Sequence, residues 1–239
     1  MSGPTAGADV VNYPPTGPGA NIMTSSLDLA ALLCSRLCHD MLSPVGALNN
    51  GLELLADETD PTMRQRCLDL LEQSARTSAD KLKFFRLAYG AAGGFGEAVP
   101  VAEAQELLQS LTAADERLTL EWGVTEANLA KPAIKVLLNL AAMGLDALVR
   151  GGTLSVGAER GSHGTEIAIR AAGPKVAFDA NIGRALNGEL AAEELSGRTA
   201  PAHMIRLIVE RDGGNVMYHH GEGALVLGAV LPEPEGMIG

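Results

Sequence analysis

Residues 25–57 read SSLDLAALLCSRLCHDMLSPVGALNNGLELLAD, and most of the architecture follows from them. Ala30, Cys34, Leu37, Met41, Val45, Leu48, Leu52 and Leu55 recur at steps of three or four, a single apolar stripe of helical period. Ser25 or Ser26 is a capping residue, and Asp28 in the first turn suits the positive end of the helix dipole. The helix is expected to run to about Asp57, because Asp60 followed by Pro61 signals the start of a second one. A matching stripe there passes through Met63, Cys67, Leu70 or Leu71, Ala79 and Leu82 before Gly90. The short connection folds the pair into an antiparallel hairpin. A lone hairpin leaves much of its apolar surface in water, so two chains are expected to pair as a homodimeric four-helix bundle.

Outside the hairpin the pattern changes on both sides. Residues 1–24 are rich in Pro, Gly and Asn without a period, as expected of a disordered leader. Gly93, Gly94 and Gly96 mark a linker near 92–98. A helix near 101–114, a strand near 117–124 and an apolar helix near 131–149 precede alternating runs at 153–158 and 166–171. A helix near 200–212, stopped by Asp212-Gly213-Gly214, leads to strands at 215–219 and 224–231. The expected organisation is α+β: a leader over 1–24, a dimerising helical hairpin over 25–91, and an α/β sandwich over 98–234 with helices on one sheet face.

Composition narrows the function. The 239 residues include 18 Lys and Arg against 29 Asp and Glu, and the net charge of −11 argues against nucleic-acid or anionic-membrane surfaces. Hydrophobic residues at 46% exclude disorder over the whole length, and 3% aromatics suit helix interfaces better than a barrel core. Cys34, Cys38 and Cys67 are too few for a disulfide framework. No signal peptide or membrane span is legible, so a cytoplasmic protein is expected.

The chemistry gathers at His39. It lies two positions from both Leu37 and Met41, roughly opposite the stripe, so its imidazole is expected to face water. A solvent-facing histidine on a helix can take a phosphoryl group on a ring nitrogen from a docked donor and return it to a docked acceptor. Asp40 beside it can fix the tautomer or accept the ring proton. Pro44 removes the amide that would bond the Asp40 carbonyl, and a bend just past the histidine is expected. The same face carries Ser35, Arg36, Leu42, Ser43, Gly46 and Asn50 as the expected partner contact. Ser43 and Gly46 leave room for a partner helix, and Leu42 is an apolar anchor. Cys34 lies on the stripe and His39 opposes it, so the cysteines are expected to pack rather than bind zinc.

The run His39, Asp40, Ser43, Pro44 resembles the H-box of the dimerising phosphoacceptor domains of sensor histidine kinases, with Leu42 where Lys or Arg is usual. The later half resembles their GHKL-type ATP-binding domain with its boxes decayed. Met143 stands where the N-box has its magnesium-binding Asn, and Asp146 where a cation meets phosphate. Ala171 replaces the Asp that reads adenine, and Thr199-Ala200-Pro201-Ala202 lacks the glycines of the second glycine box. Over about residues 25–234, these features together resemble the ChpT-type histidine phosphotransferases of bacterial phosphorelays. The resemblance implies a homodimer without a cofactor of its own. Its His39 would take phosphate from the receiver domain of a CckA-like hybrid kinase and pass it to CtrA-like and CpdR-like response regulators. Magnesium (Mg2+) would be supplied by the receiver. An active ATP-dependent histidine kinase, or a non-catalytic pseudokinase dimer that sequesters regulators, are the competing readings.

Overall fold

The Ser25 hydroxyl accepts the Asp28 amide at 3.1 Å and caps helix α1, Ser26–Asp57, in the computed structural model, which describes residues 25–90, 98–162 and 164–232. The leader expected at 1–24 and most of the expected linker lie outside the described residues. Asp60 caps α2, Pro61–Ala88, by accepting the Met63 amide at 2.9 Å. Pro61 opens that helix where an amide would have no helical partner.

The stripe expected along α1 is in fact two. Leu37, Met41, Pro44, Leu48, Gly51 and Leu55 turn towards α2 or the domain core, with Pro44 and Gly51 buried. A Cβ at Gly51 would stand 2.9 Å from the Leu71 side chain, so the missing side chain lets the two helices close up. Cys34, Val45 and Leu52, assigned by period to the core, are exposed together with Cys38. They form a second stripe about 75° around the helix from the first. A bundle helix has two neighbours, and a search for one helical period merges the two faces into one.

The sandwich begins with β1, Ala98–Pro100, which pairs with β3, Asn128–Ala130, in a two-stranded ribbon. Between them lie α3, Val101–Ala113, and β2, Leu118–Trp122. The remaining elements are α4 (Lys131–Ala147), β4 (Gly152–Gly161), β5 (Gly164–Ala172), α5 (Ala180–Leu186), α6 (Ala200–Arg211), β6 (Asn215–Gly221) and β7 (Ala224–Leu231). The five-stranded sheet runs β2-β4-β5-β7-β6, with β2 parallel to β4 and every other pair antiparallel. The ribbon and α5 were not expected; three-residue strands are too short to show alternation.

Leu154, Ile169 and Leu227 are fully buried on the inner sheet face beneath α4. A Cβ at Gly144 would lie 2.7 Å from Leu154 Cδ1, so this glycine brings α4 onto the sheet. The outer face carries exposed Met217 and Val226. The end of α2 enters the same core through Phe84, Phe85, Leu87 and Ala88. Phe84 and Phe85 meet edge-on at 5.7 Å, which adds about 0.5–1.5 kcal/mol beyond burial. The Asn139 side chain, buried in α4, donates to the Lys135 carbonyl at 2.8 Å and reaches the Ala88 carbonyl at 3.4 Å. Hairpin and sandwich therefore share one interior, and that sharing sets the surroundings of His39.

Candidate functional site

His39 stands on α1 with 83% of its side chain exposed, as the helical period requires. Its Nδ1 lies 3.2 Å from Asp40 Oδ1. With Nδ1–H as the donor, Nε2 presents its lone pair to solvent. The Asp40 carboxylate is only 20% exposed, and its other oxygen accepts Arg36 Nε at 2.6 Å. The same guanidinium donates through Nη2 to Asp146 Oδ2 on α4 at 3.3 Å. His39, Asp40, Arg36 and Asp146 thus form a polar chain from the exposed helix face to the sandwich.

Charge and burial compete along this chain. Burial pulls the Arg36 guanidinium down, but the Asp40 hydrogen bond and the charges of Asp146 and Asp40 more than offset it, leaving Arg36 above its ordinary value. Burial pushes the neighbouring Tyr89 phenol up to about 12, against the pull of the Arg36 charge. Arg36 is therefore a fixed cation beneath Asp40. This corrects its expected place on an open docking face: it is half-buried and committed to two carboxylates. The sequence spacing already offered the Arg36–Asp40 pair as an i, i+4 contact.

Pro44 leaves its mark on the hydrogen bonding of α1. Helix α1 continues unbroken through it, with Pro44 buried. The Asp40 carbonyl, deprived of its helical donor, accepts Lys81 Nζ from α2 at 2.9 Å. The backbone of Asp40 is thus held by α2 and its carboxylate by Arg36. Lys81 was missed in the sequence, although the orphaned carbonyl announced by Pro44 was a signal to look for a donor.

The other expected contact residues divide clearly from Arg36. Leu42 is 71% exposed, and Ser35, Ser43 and Asn50 are exposed on the same side. Gly46 is half-buried, and a Cβ there would meet nothing within 4 Å. Cys34 and Cys38 are exposed rather than packed within this chain. Among the described residues, no group of three or more His, Cys, Asp or Glu is arranged to hold a metal ion.

The residues likened in the sequence to nucleotide boxes are packed or paired. Ala171 and Met143 are buried in the domain core. Asp146 faces Arg36 rather than an open phosphate site. A Cβ at Gly197 would lie 3.4 Å from both Arg36 N and the Leu32 carbonyl, so the segment before α6 lies against α1. No described helix is long and apolar enough to cross a membrane.

An exposed histidine beside an acid on a hairpin helix, with an α/β sandwich packed against that hairpin, fits the class of the histidine phosphotransferases. Residues 101–224 match the family model for the histidine phosphotransferase C-terminal domain. The chain is 33% identical over 202 residues to the protein phosphotransferase ChpT of Brucella abortus (strain 2308), a match covering 83% of this chain and 93% of that protein. A solved bacterial phosphotransferase superposes with a TM-score of 0.76 at 30% identity, covering 87% of this chain and 98% of its own. The chain belongs to the ChpT-type histidine phosphotransferases.

Proposed function

We propose that this protein relays phosphoryl groups through His39 between receiver-domain aspartates, without ATP. The carrying observation is the exposed imidazole whose Nδ1 meets Asp40, leaving Nε2 free. In the forward step the Nε2 lone pair attacks the phosphorus of a receiver's aspartyl phosphate. The N–P bond forms as the P–O bond to the carboxylate breaks, and the carboxylate departs with the electron pair. The ring keeps its Nδ1 proton and becomes cationic, and the Asp40 carboxylate stabilises that charge. Transfer to the next receiver reverses these changes at a second aspartate. Position does most of the work, with magnesium carried by the receiver.

Docking is assigned to Leu42, Ser43 and Gly46, flanked by Ser35 and Asn50, because this surface combines an apolar anchor with room for a partner helix. The exposed Val45 and Leu52 of α1, with Leu68 and Leu82 of α2, support pairing of two chains as a four-helix bundle. By family resemblance the donor is the receiver of a CckA-like hybrid kinase and the acceptors are CtrA-like and CpdR-like regulators, all met in the cytoplasm. Incubation with a panel of radiolabelled phospho-receivers and magnesium tests the reading. Acid-labile label is expected on this chain from at least one receiver and none from ATP. Label from ATP alone would make it a kinase, and no label from any receiver would leave only the sequestering dimer.

A further inference from the structure

We infer that Asp146, the acidic residue of the decayed N-box, is a positioning residue for phosphotransfer, acting on His39 through Arg36 and Asp40. The inference rests on the relay reading of His39 and adds to it a duty for the sandwich. The geometry consists of three contacts in series. Asp146 Oδ2 holds Arg36 Nη2 at 3.3 Å, Arg36 Nε holds Asp40 Oδ2 at 2.6 Å, and Asp40 Oδ1 faces His39 Nδ1 at 3.2 Å. The two carboxylates take two different nitrogens of one planar guanidinium, whose rigid fork an ammonium does not reproduce.

Two consequences follow from sharing the cation. Arg36 is tethered from the sandwich as well as from its own helix, so fewer of its rotamers remain and the Asp40 carboxylate is held in one orientation. One positive charge divided between two carboxylates also leaves Asp40 with more negative charge to polarise the imidazole than a private ion pair would. Both effects favour the Nδ1–H tautomer and hence a free Nε2. The packing of Gly197 on the backbone of α1 at Leu32 and Arg36 holds the sandwich in register with this contact. An Asp146 side chain that is 60% exposed contributes little to stability, so its removal should leave the fold intact.

The test compares the full chain with D146N, D146K and D146E. The saturating rate of transfer from a phosphorylated receiver is expected to fall about threefold to fivefold in D146N. It should fall roughly tenfold or more in D146K, where the new cation repels Arg36, and recover largely in D146E. The receiver concentration for half-maximal transfer should stay constant, whereas loss of a docking contact would raise it. In ¹⁵N spectra the His39 ring should lose its Nδ1–H preference in D146N and D146K while thermal unfolding stays unchanged. R36K should give the same tautomer change. Unaltered tautomer populations in both D146K and R36K would overturn the inference. If no receiver labels the wild-type chain, the relay reading fails, and the tautomer measurement still decides whether the clamp orients the imidazole.

Discussion

Helices α1 and α4 use their polar residues in opposite ways. Helix α1 keeps His39, Asp40, Ser43 and Pro44, and the imidazole remains open to solvent. In helix α4, Asn139 bonds the Lys135 carbonyl and reaches that of Ala88, Met143 is buried and Asp146 bonds across to α1. A carrier histidine needs one lone pair, one orienting acid and an approachable face. A nucleotide site needs several donors converging on one cavity, and losing a few of them removes it. The sandwich packs the end of α2 and holds Arg36 through Asp146.

The contrast breaks completely if the chemistry is not on α1. H39A should abolish acid-labile labelling from every phospho-receiver while circular dichroism and molecular mass stay unchanged, because an 83% exposed side chain adds little packing. A variant that still carries label would move the carrier elsewhere.

The seam between the two regions can be sharpened through Tyr89, whose phenol lies at about 12 against an ordinary value of 10.0. Its folded value is the higher, so the stability linked to it is fully present below pH 10 and is lost as pH rises towards 12. By pH 11.5 the wild type should lose about 1–2 kcal/mol more than Y89F, as read by urea unfolding between pH 9 and 11.5. Parallel losses in the two proteins would mean that the seam around Tyr89 admits water.

Weaker effects are expected on the docking face. Leu42→Asp and Gly46→Arg should each raise the receiver concentration for half-maximal transfer by about tenfold, with the saturating rate and the mass by light scattering unchanged. Normal transfer by both variants to every receiver tested would move the docking surface off this face.

Much of this contrast was legible in the residues. Ser25 and Asp60-Pro61 mark both helix starts, and the His39 face follows from the distance to Leu37 and Met41. What escaped was two-dimensional. Cys34, Val45 and Leu52 share a period with Leu37 and Leu48, and only the position of α2 separates the stripes. The partner of Arg36 also escaped, because a residue at i+4 can be read from spacing but Asp146 on another element cannot.

The smallest effect concerns the Lys81 bond to the Asp40 carbonyl, and it separates backbone support of the site from side-chain support. Pro44 cannot supply the amide, so Lys81 is the donor that replaces it. Lys81→Met keeps most of the aliphatic stem and removes the ammonium. It should cost about 0.5–1.5 kcal/mol, the usual net value of one hydrogen bond, because Lys81 is only half-buried and water can reach part of the site. Pro44→Ala restores an amide at the right place in the helix but leaves a gap where the buried ring stood. The single variants therefore mix several effects, and the double-mutant cycle isolates the one of interest. With Ala at position 44, the helix can satisfy the Asp40 carbonyl itself, and Lys81→Met should then cost close to nothing. A coupling of about 0.5–1.5 kcal/mol by urea unfolding is the expected result. Additive costs would mean that the carbonyl does not depend on Lys81, and that Asp40 is held through Arg36 alone.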